Sequence, residues 1–217
     1  MYVRIVLTAL AGGLVAGVFL WGAHMILTSP LIAAAEVFET GVAHPESSDA
    51  FRRHGLALMM DVLAGIGFAF LLTGAISLSG QDVDWRRGML WGLCGFAAFY
   101  VAPSLGLPPK LPGMQTAALD ARQVWWLATA ATTAVGLGLA LLSTSPVLKA
   151  LGAVLIVLPH GIGAPAMTSS SSPGGVPAEL AAQFVITTTV ATGLFWMVLG
   201  GISGYFYNRF DRSRDAA

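Results

Sequence analysis

The sequence predicts an all-α fold, a polytopic membrane helix bundle of about six transmembrane helices, with five as the alternative. Three observations predict it. Of 217 residues, 56% are hydrophobic and only 10% are charged, whereas a soluble domain carries roughly 25% charged residues. So few charges cannot cover a water-exposed surface. The mean hydropathy of +0.75 agrees. The apolar residues also gather into six stretches, at 3–27, 56–78, 88–103, 124–142, 147–159 and 180–207, close to the roughly 20 residues that cross a bilayer. The third and fifth are short and need flanking residues or little tilt. Demoting the fifth leaves five spans. Residues 1–217 read as a single integral membrane domain.

The first stretch reads as a retained span. Its apolar core is long for a secretory h-region, and only Arg4 precedes it, although Ala33-Ala34-Ala35 offers a small-residue cleavage pattern. Orientation follows from Lys and Arg, which favour the cytoplasmic side. With six spans and a cytoplasmic N-terminus, Arg4, Arg86, Arg87, Lys149, Arg209, Arg212 and Arg214 are inside, against Arg52, Arg53, Lys110 and Arg122 outside. Both termini are therefore expected in the cytoplasm. The outer loops fall at about 28–55, 104–122 and 161–179, and a short tail at 208–217 is cytoplasmic. Trp21, Trp85, Trp125, Trp126, Tyr100, Tyr205 and Tyr207 lie near span ends, where an aromatic belt belongs. Gly13 with Gly17, Gly88 with Gly92 and Gly200 with Gly204 repeat a small-residue spacing that lets helices approach closely in lipid.

Composition and motifs exclude several functions. A net charge of zero gives no electrostatic case for nucleic acid. The lone Cys94 cannot form a disulfide within the chain and sits in an apolar run. No GxxxxGK[ST], strand-linked GxGxxG or HExxH occurs, and no Ser/His/Asp set stands out. The chain is expected neither to hydrolyse ATP nor to be an enzyme.

The histidines and carboxylates say more. Under this topology His24, His44, His54 and His160 all fall on the outer side. So do Glu36, Glu39, Glu46, Asp49, Asp120 and Glu179, while Asp61 opens the second span. Imidazole with carboxylate suits borderline divalent metals such as cobalt, nickel and zinc. Glu36 and Glu39 are three residues apart and share a helical face, as do His54 and Asp61 two turns apart. An ionisable residue within a span, such as Asp61, is a functional candidate by default. The bland alternatives are solvated loop acids, a headgroup position for His54 beside Arg52 and Arg53, a helix-end role for His160, and a structural pairing of Asp61 with Arg53 or His54.

The loops complete the pattern. Pro30 is expected to turn the chain out of the first span, with Ile32 to Glu39 as a short interfacial helix. Pro108, Pro109 and Pro112 stiffen the loop Gly106-Leu-Pro-Pro-Lys-Leu-Pro-Gly113, where Leu107 and Leu111 need burial. Pro159-His160-Gly161 is expected to break the fifth helix and free carbonyls there. The segment 161–179 is rich in Ser, Pro and Gly.

Taken in order, these features resemble the proposed cobalt transporter subunit family CbtA. The matching residues are Pro30 with Ala35-Glu36-Val-Phe-Glu39, the Gly106–Gly113 loop, Arg122-Gln-Val-Trp-Trp126, Leu158-Pro-His-Gly-Ile-Gly-Ala-Pro165, and Val176-Pro-Ala-Glu-Leu180 before an aromatic-rich last span. The resemblance covers nearly the whole chain. It implies a bacterial inner-membrane protein linked to cobalamin metabolism. It also implies a small single-span, histidine-bearing CbtB-like partner. Two departures stand out: Lys110 replaces a Glu usual after the Pro-Pro pair, and the first outer loop keeps only His44 where the family is often His-rich.

The reading is a membrane subunit of a divalent transition-metal uptake system, with cobalt(II) as the transported ion and no permanently bound cofactor. The candidate metal residues are His24, Glu36, Glu39, His44, His54, Asp61 and His160, with Glu36, Glu39, His24 and His160 expected to approach one another. A non-transporting scaffold or accessory protein for cobalamin synthesis is the alternative. The lipid bilayer, the small subunit and a second copy of the chain are the expected partners.

Overall fold

The computed structural model describes residues 2–38, 47–166 and 175–215. Every regular element among them is helical. In chain order they are α1 (Tyr2–Ala23), a π turn (His24–Thr28), α2 (Ser29–Glu36), α3 (Ser47–Ser79), α4 (Trp85–Phe96), a second π turn (Ala97–Val101), α5 (Ala102–Gly106), α6 (Leu119–Leu142), α7 (Pro146–Ile162) and α8 (Ala178–Asp215). Five helical stretches are long and apolar enough to cross a membrane: Tyr2–Glu36, Phe51–Ser79, Trp85–Gly106, Leu119–Leu142 and Ala178–Phe210. Large apolar side chains such as Leu14, Leu63, Val135 and Leu141 are exposed on them, as lipid contact requires.

Proline does not end helices here as expected. The helix expected to stop before Pro30 continues to Glu36. Each of the two π turns ends two residues before a proline, Pro30 or Pro103. A proline ring collides with the carbonyl four residues back, and a π turn adds a residue to the ladder at that point, which widens it. The same device extends the third span to Gly106, so it is not short. Pro159 also stays inside α7, which ends at Gly163 with φ of +90°. That left-handed conformation is one glycine adopts readily.

The chain divides into two compact units. The first comprises Met1–Ser29, Val42–Leu93 and Val190–Ala217. Its helices meet through glycine. A Cβ on Gly17 would lie 2.5 Å from the Val62 Cα, and one on Gly65 would lie 3.0 Å from the Gly17 nitrogen, so α1 and α3 touch at backbone distance. Gly88 and Gly92 of α4 meet Gly200 and Gly204 of α8 in the same way. Without a hydrophobic driving force in lipid, this close packing holds the spans together. Ile76, Phe195 and Leu199 are buried in this unit, and Phe68 stacks obliquely on Trp196 with ring centroids 5.0 Å apart.

Arg4, near the start of α1, lies 3.4 Å from the ring centroid of Tyr207, near the end of α8. The first and last spans therefore begin and end at one end of this unit. The sixth apolar helix, α7, is 17 residues long, about 25 Å, and falls short of the five stretches above.

The second unit comprises Pro30–Gly41 and Cys94–Thr189. The backbones of α6 and α7 touch where Gly136 faces Gly152. The proline-rich loop packs: Leu111 is buried with Ala35 and Phe184, and Leu107 is half-buried. Lys110 Nζ donates to the Gln115 carbonyl. Trp125 lies against Gly106, its Cζ2 2.8 Å from where a Cβ would stand.

Candidate functional site

The α1–α3 pair carries the candidate residues His24, at its border, and Asp61, within α3. Gly13 faces Ile66 and Gly17 faces Val62, so the helices are antiparallel in a fixed register. On that register His24 is level with Gly55, six residues from Asp61. Six residues are about 9 Å along a helix. Side chains in a helix lean toward its N-terminus. In antiparallel partners this tilt carries the His24 imidazole and the Asp61 carboxylate toward each other. They meet: His24 Nδ1 lies 2.9 Å from Asp61 Oδ2. The side chains are 30% and 14% exposed, respectively.

Local structure fixes the backbone that carries the imidazole. His24 opens the π turn, and its carbonyl accepts the Ser29 N–H. The same carbonyl accepts the Thr28 hydroxyl at 3.1 Å. Beside it Trp21 Nε1–H donates to the His54 carbonyl at 3.2 Å, tying α1 to α3. His24 stands twenty residues beyond Arg4, about 30 Å along the helix and so one hydrocarbon thickness from the Arg4 end. The pair thus belongs at the opposite membrane boundary.

The chemistry of the pair is directional. An ionised carboxylate only accepts, so Nδ1–H is the side of the His24 ring that donates to Asp61, and in the neutral imidazole this tautomer leaves the lone pair on Nε2. Metal-ligating histidines are held in this way, with a carboxylate on the far nitrogen fixing tautomer and ring orientation. The arrangement presents one oriented imidazole nitrogen at a membrane boundary.

The other candidate residues are placed as follows. His54 is exposed on α3. Glu36 is half-buried at the end of α2 in the second unit. His160 is half-buried in the last turn of α7, its ring edge-on to Trp125 at 6.1 Å between centroids. Glu39 and His44 lie outside the described residues. Among the described residues no group of three His, Cys, Asp or Glu is assembled that could hold an ion. Sequence reasoning missed the Gly17–Gly65 approach as the device that positions the pair, and it missed Thr28. The Gly13–Gly17 spacing was the available signal.

One comparison decides the family. The family model described as "Probable cobalt transporter subunit (CbtA)" matches residues 2–208, nearly the whole chain. The chain belongs to the CbtA family. No curated protein and no solved structure matches it. As a CbtA member the chain is a multi-pass membrane protein of a cobalt transporter-subunit family, and a subunit implies partners. The CbtA description fits an oriented imidazole near a membrane boundary better than it fits any catalytic constellation.

Proposed function

We propose that this chain is the membrane subunit of a cobalt(II) uptake system that supplies cobalamin synthesis, and that the His24–Asp61 pair is its capture point. The single observation that carries the reading is the 2.9 Å contact between them, which leaves Nε2 of His24 oriented for an ion. Asp61 then orients the imidazole and adds negative charge, instead of ligating the ion directly. Lone imidazole ligation is weak, so further donors complete the shell. Glu36, Glu39, His44 and His160 are the chain's own candidates, and a small single-span subunit with a histidine-bearing tail is the partner that fits. Nitrogen and oxygen donors with water suit cobalt(II) without thiolate.

The Arg4 end carries Arg86, Arg87 and Arg209 on neighbouring helices of the same unit. By the positive-inside rule that end faces the cytoplasm, in a bacterial inner membrane with both termini inside. The pair then faces outward, where the ion arrives. The test is cobalt accumulation by cells expressing the chain with and without the small subunit. Accumulation that needs both proteins and is lost with His24→Ala supports the reading. Normal accumulation without this chain leaves it as a scaffold.

A further inference from the structure

The second unit holds two buried hydroxyls that differ from the self-bonded threonines of the chain and share with Thr8 and Ser203 of the first unit the lack of a hydrogen-bond partner among the described residues. Thr73, Thr132, Thr188 and Thr189 each donate to the carbonyl four residues earlier, at 2.6, 2.8, 2.7 and 2.7 Å. That is how a threonine in a membrane helix satisfies itself. Thr129 and Thr133 do not. Their residues are 0% and 3% exposed, and their Oγ1 atoms have no hydrogen-bond partner among the described residues. The Trp125 Nε1 is buried and without a partner in the same sense. Trp125, Thr129 and Thr133 follow at intervals of four, so they form one stripe of α6. In lipid an unsatisfied polar group costs several kcal/mol, and three in one stripe call for a common occupant.

The stripe faces α7. Gly136, one turn beyond Thr133, touches Gly152 at the backbone. Counting away from that contact along the antiparallel pair, Thr133 is level with Leu155 and Thr129 with Pro159. Pro159 is buried and has no N–H, so the Leu155 carbonyl loses its usual helical donor. The two hydroxyls, about 6 Å apart along α6, thus flank the stretch of α7 that carries an acceptor-only carbonyl. His160 and Trp125 stand beside them toward the end of α7.

We propose that α6 and α7 enclose an oxygen-lined, water-containing inlet, bounded by Thr129, Thr133 and the Leu155 carbonyl and opening beside His160, which takes a partly hydrated divalent cation. Neutral oxygens replace part of a hydration shell without holding the ion tightly, as passage requires. The Gly136–Gly152 contact closes the inlet at its inner end, where the backbones leave no room. The identity of the cation rests on the uptake reading above, while the inlet itself does not.

The test uses membrane vesicles holding the full chain in a Cys94→Ser background. Thr129→Cys, Thr133→Cys and, as the lipid-facing control, Val135→Cys are exposed to a small charged thiol reagent. The expected result is rapid modification at the two threonine positions but not at Val135→Cys, slowed several-fold by cobalt(II). Modification no faster than at the control overturns the inlet, and rates unchanged by millimolar cobalt(II) overturn the cation. Because an introduced thiol can itself bind cobalt, the double variant Thr129→Val, Thr133→Val gives a second reading. Its uptake falls several-fold while its melting temperature does not fall, since no protein hydrogen bond is removed. Unchanged uptake in this variant also overturns the proposal. If the unaltered chain with its partner takes up no cobalt, the uptake reading fails, and the labelling pattern still decides the inlet.

Discussion

The α1–α3 and α6–α7 pairs use one packing device for two kinds of polar content. Each is an antiparallel pair drawn to backbone distance by facing glycines, Gly17 with Gly65 and Gly136 with Gly152. In the first, two ionisable groups satisfy each other, His24 with Asp61 at 2.9 Å, while the buried Thr8 hydroxyl of α1 has no partner among the described residues. In the second the polar groups are neutral, and Thr129 and Thr133 have no partner among the described residues. The difference teaches what each pair can do. A charge partner orients a ring nitrogen, as the proposed capture point requires. Unpartnered hydroxyls keep unused hydrogen-bonding capacity, as the proposed inlet requires. Both pairs also contain a proline-perturbed helix, but the π turn after α1 absorbs Pro30 while α7 carries Pro159 in its last turn.

The comparison can be broken most severely at the glycines. Gly17→Leu would drive a side chain into the Val62 backbone, where nothing flexible can yield. Overpacking costs about 1–3 kcal/mol in cores that adjust, and with only backbone to yield this variant is expected to lose stability at the upper end of that range or beyond. A thermal melt in detergent checks it, and cobalt uptake should vanish with the fold. Next comes Asp61→Ala, which leaves the helices packed but the imidazole unoriented. Loss of such an orienting partner lowers metal affinity about 10–100-fold, read as a rise in the cobalt concentration for half-maximal uptake with little change in melting temperature. A smaller effect is expected for Thr28→Val, which removes the hydroxyl bond to the His24 carbonyl at 3.1 Å. A typical net hydrogen bond contributes about 1 kcal/mol, and the melt should shift accordingly. A comparable effect is expected for Tyr207→Leu, which removes the ring under Arg4. Tyr207 is buried, and a cation–π contact is worth about 0.5–2 kcal/mol as the site loses water, so the melting temperature should drop by a similar amount while uptake persists.

Much of the fold was legible in the sequence, because length and apolarity alone define a span. The close glycine spacing, the buried Leu111 and the six-helix layout all follow from composition and local pattern. The π turns were not legible. Pro30 and Pro103 signal a helix end by their missing N–H, and only the backbone shows that a widened turn carries the helix past them. The candidate site was half legible. His24 and Asp61 stand out as ionisable residues at span ends, but they lie 37 residues apart in the chain, and their meeting depends on a register set by Gly17 and Gly65. Thr129 and Thr133 look in sequence like Thr132, which satisfies itself. Only side-chain rotamers separate them.

The central claim is that His24 captures the ion through Nε2. Cobalt(II) titration of the purified chain with its small subunit tests it most directly, read by the visible and near-ultraviolet absorption of bound cobalt. The account expects a spectrum with imidazole–cobalt character in the unaltered chain and its loss in His24→Ala, with the protein still helical by circular dichroism. An unchanged spectrum and affinity in His24→Ala would contradict it.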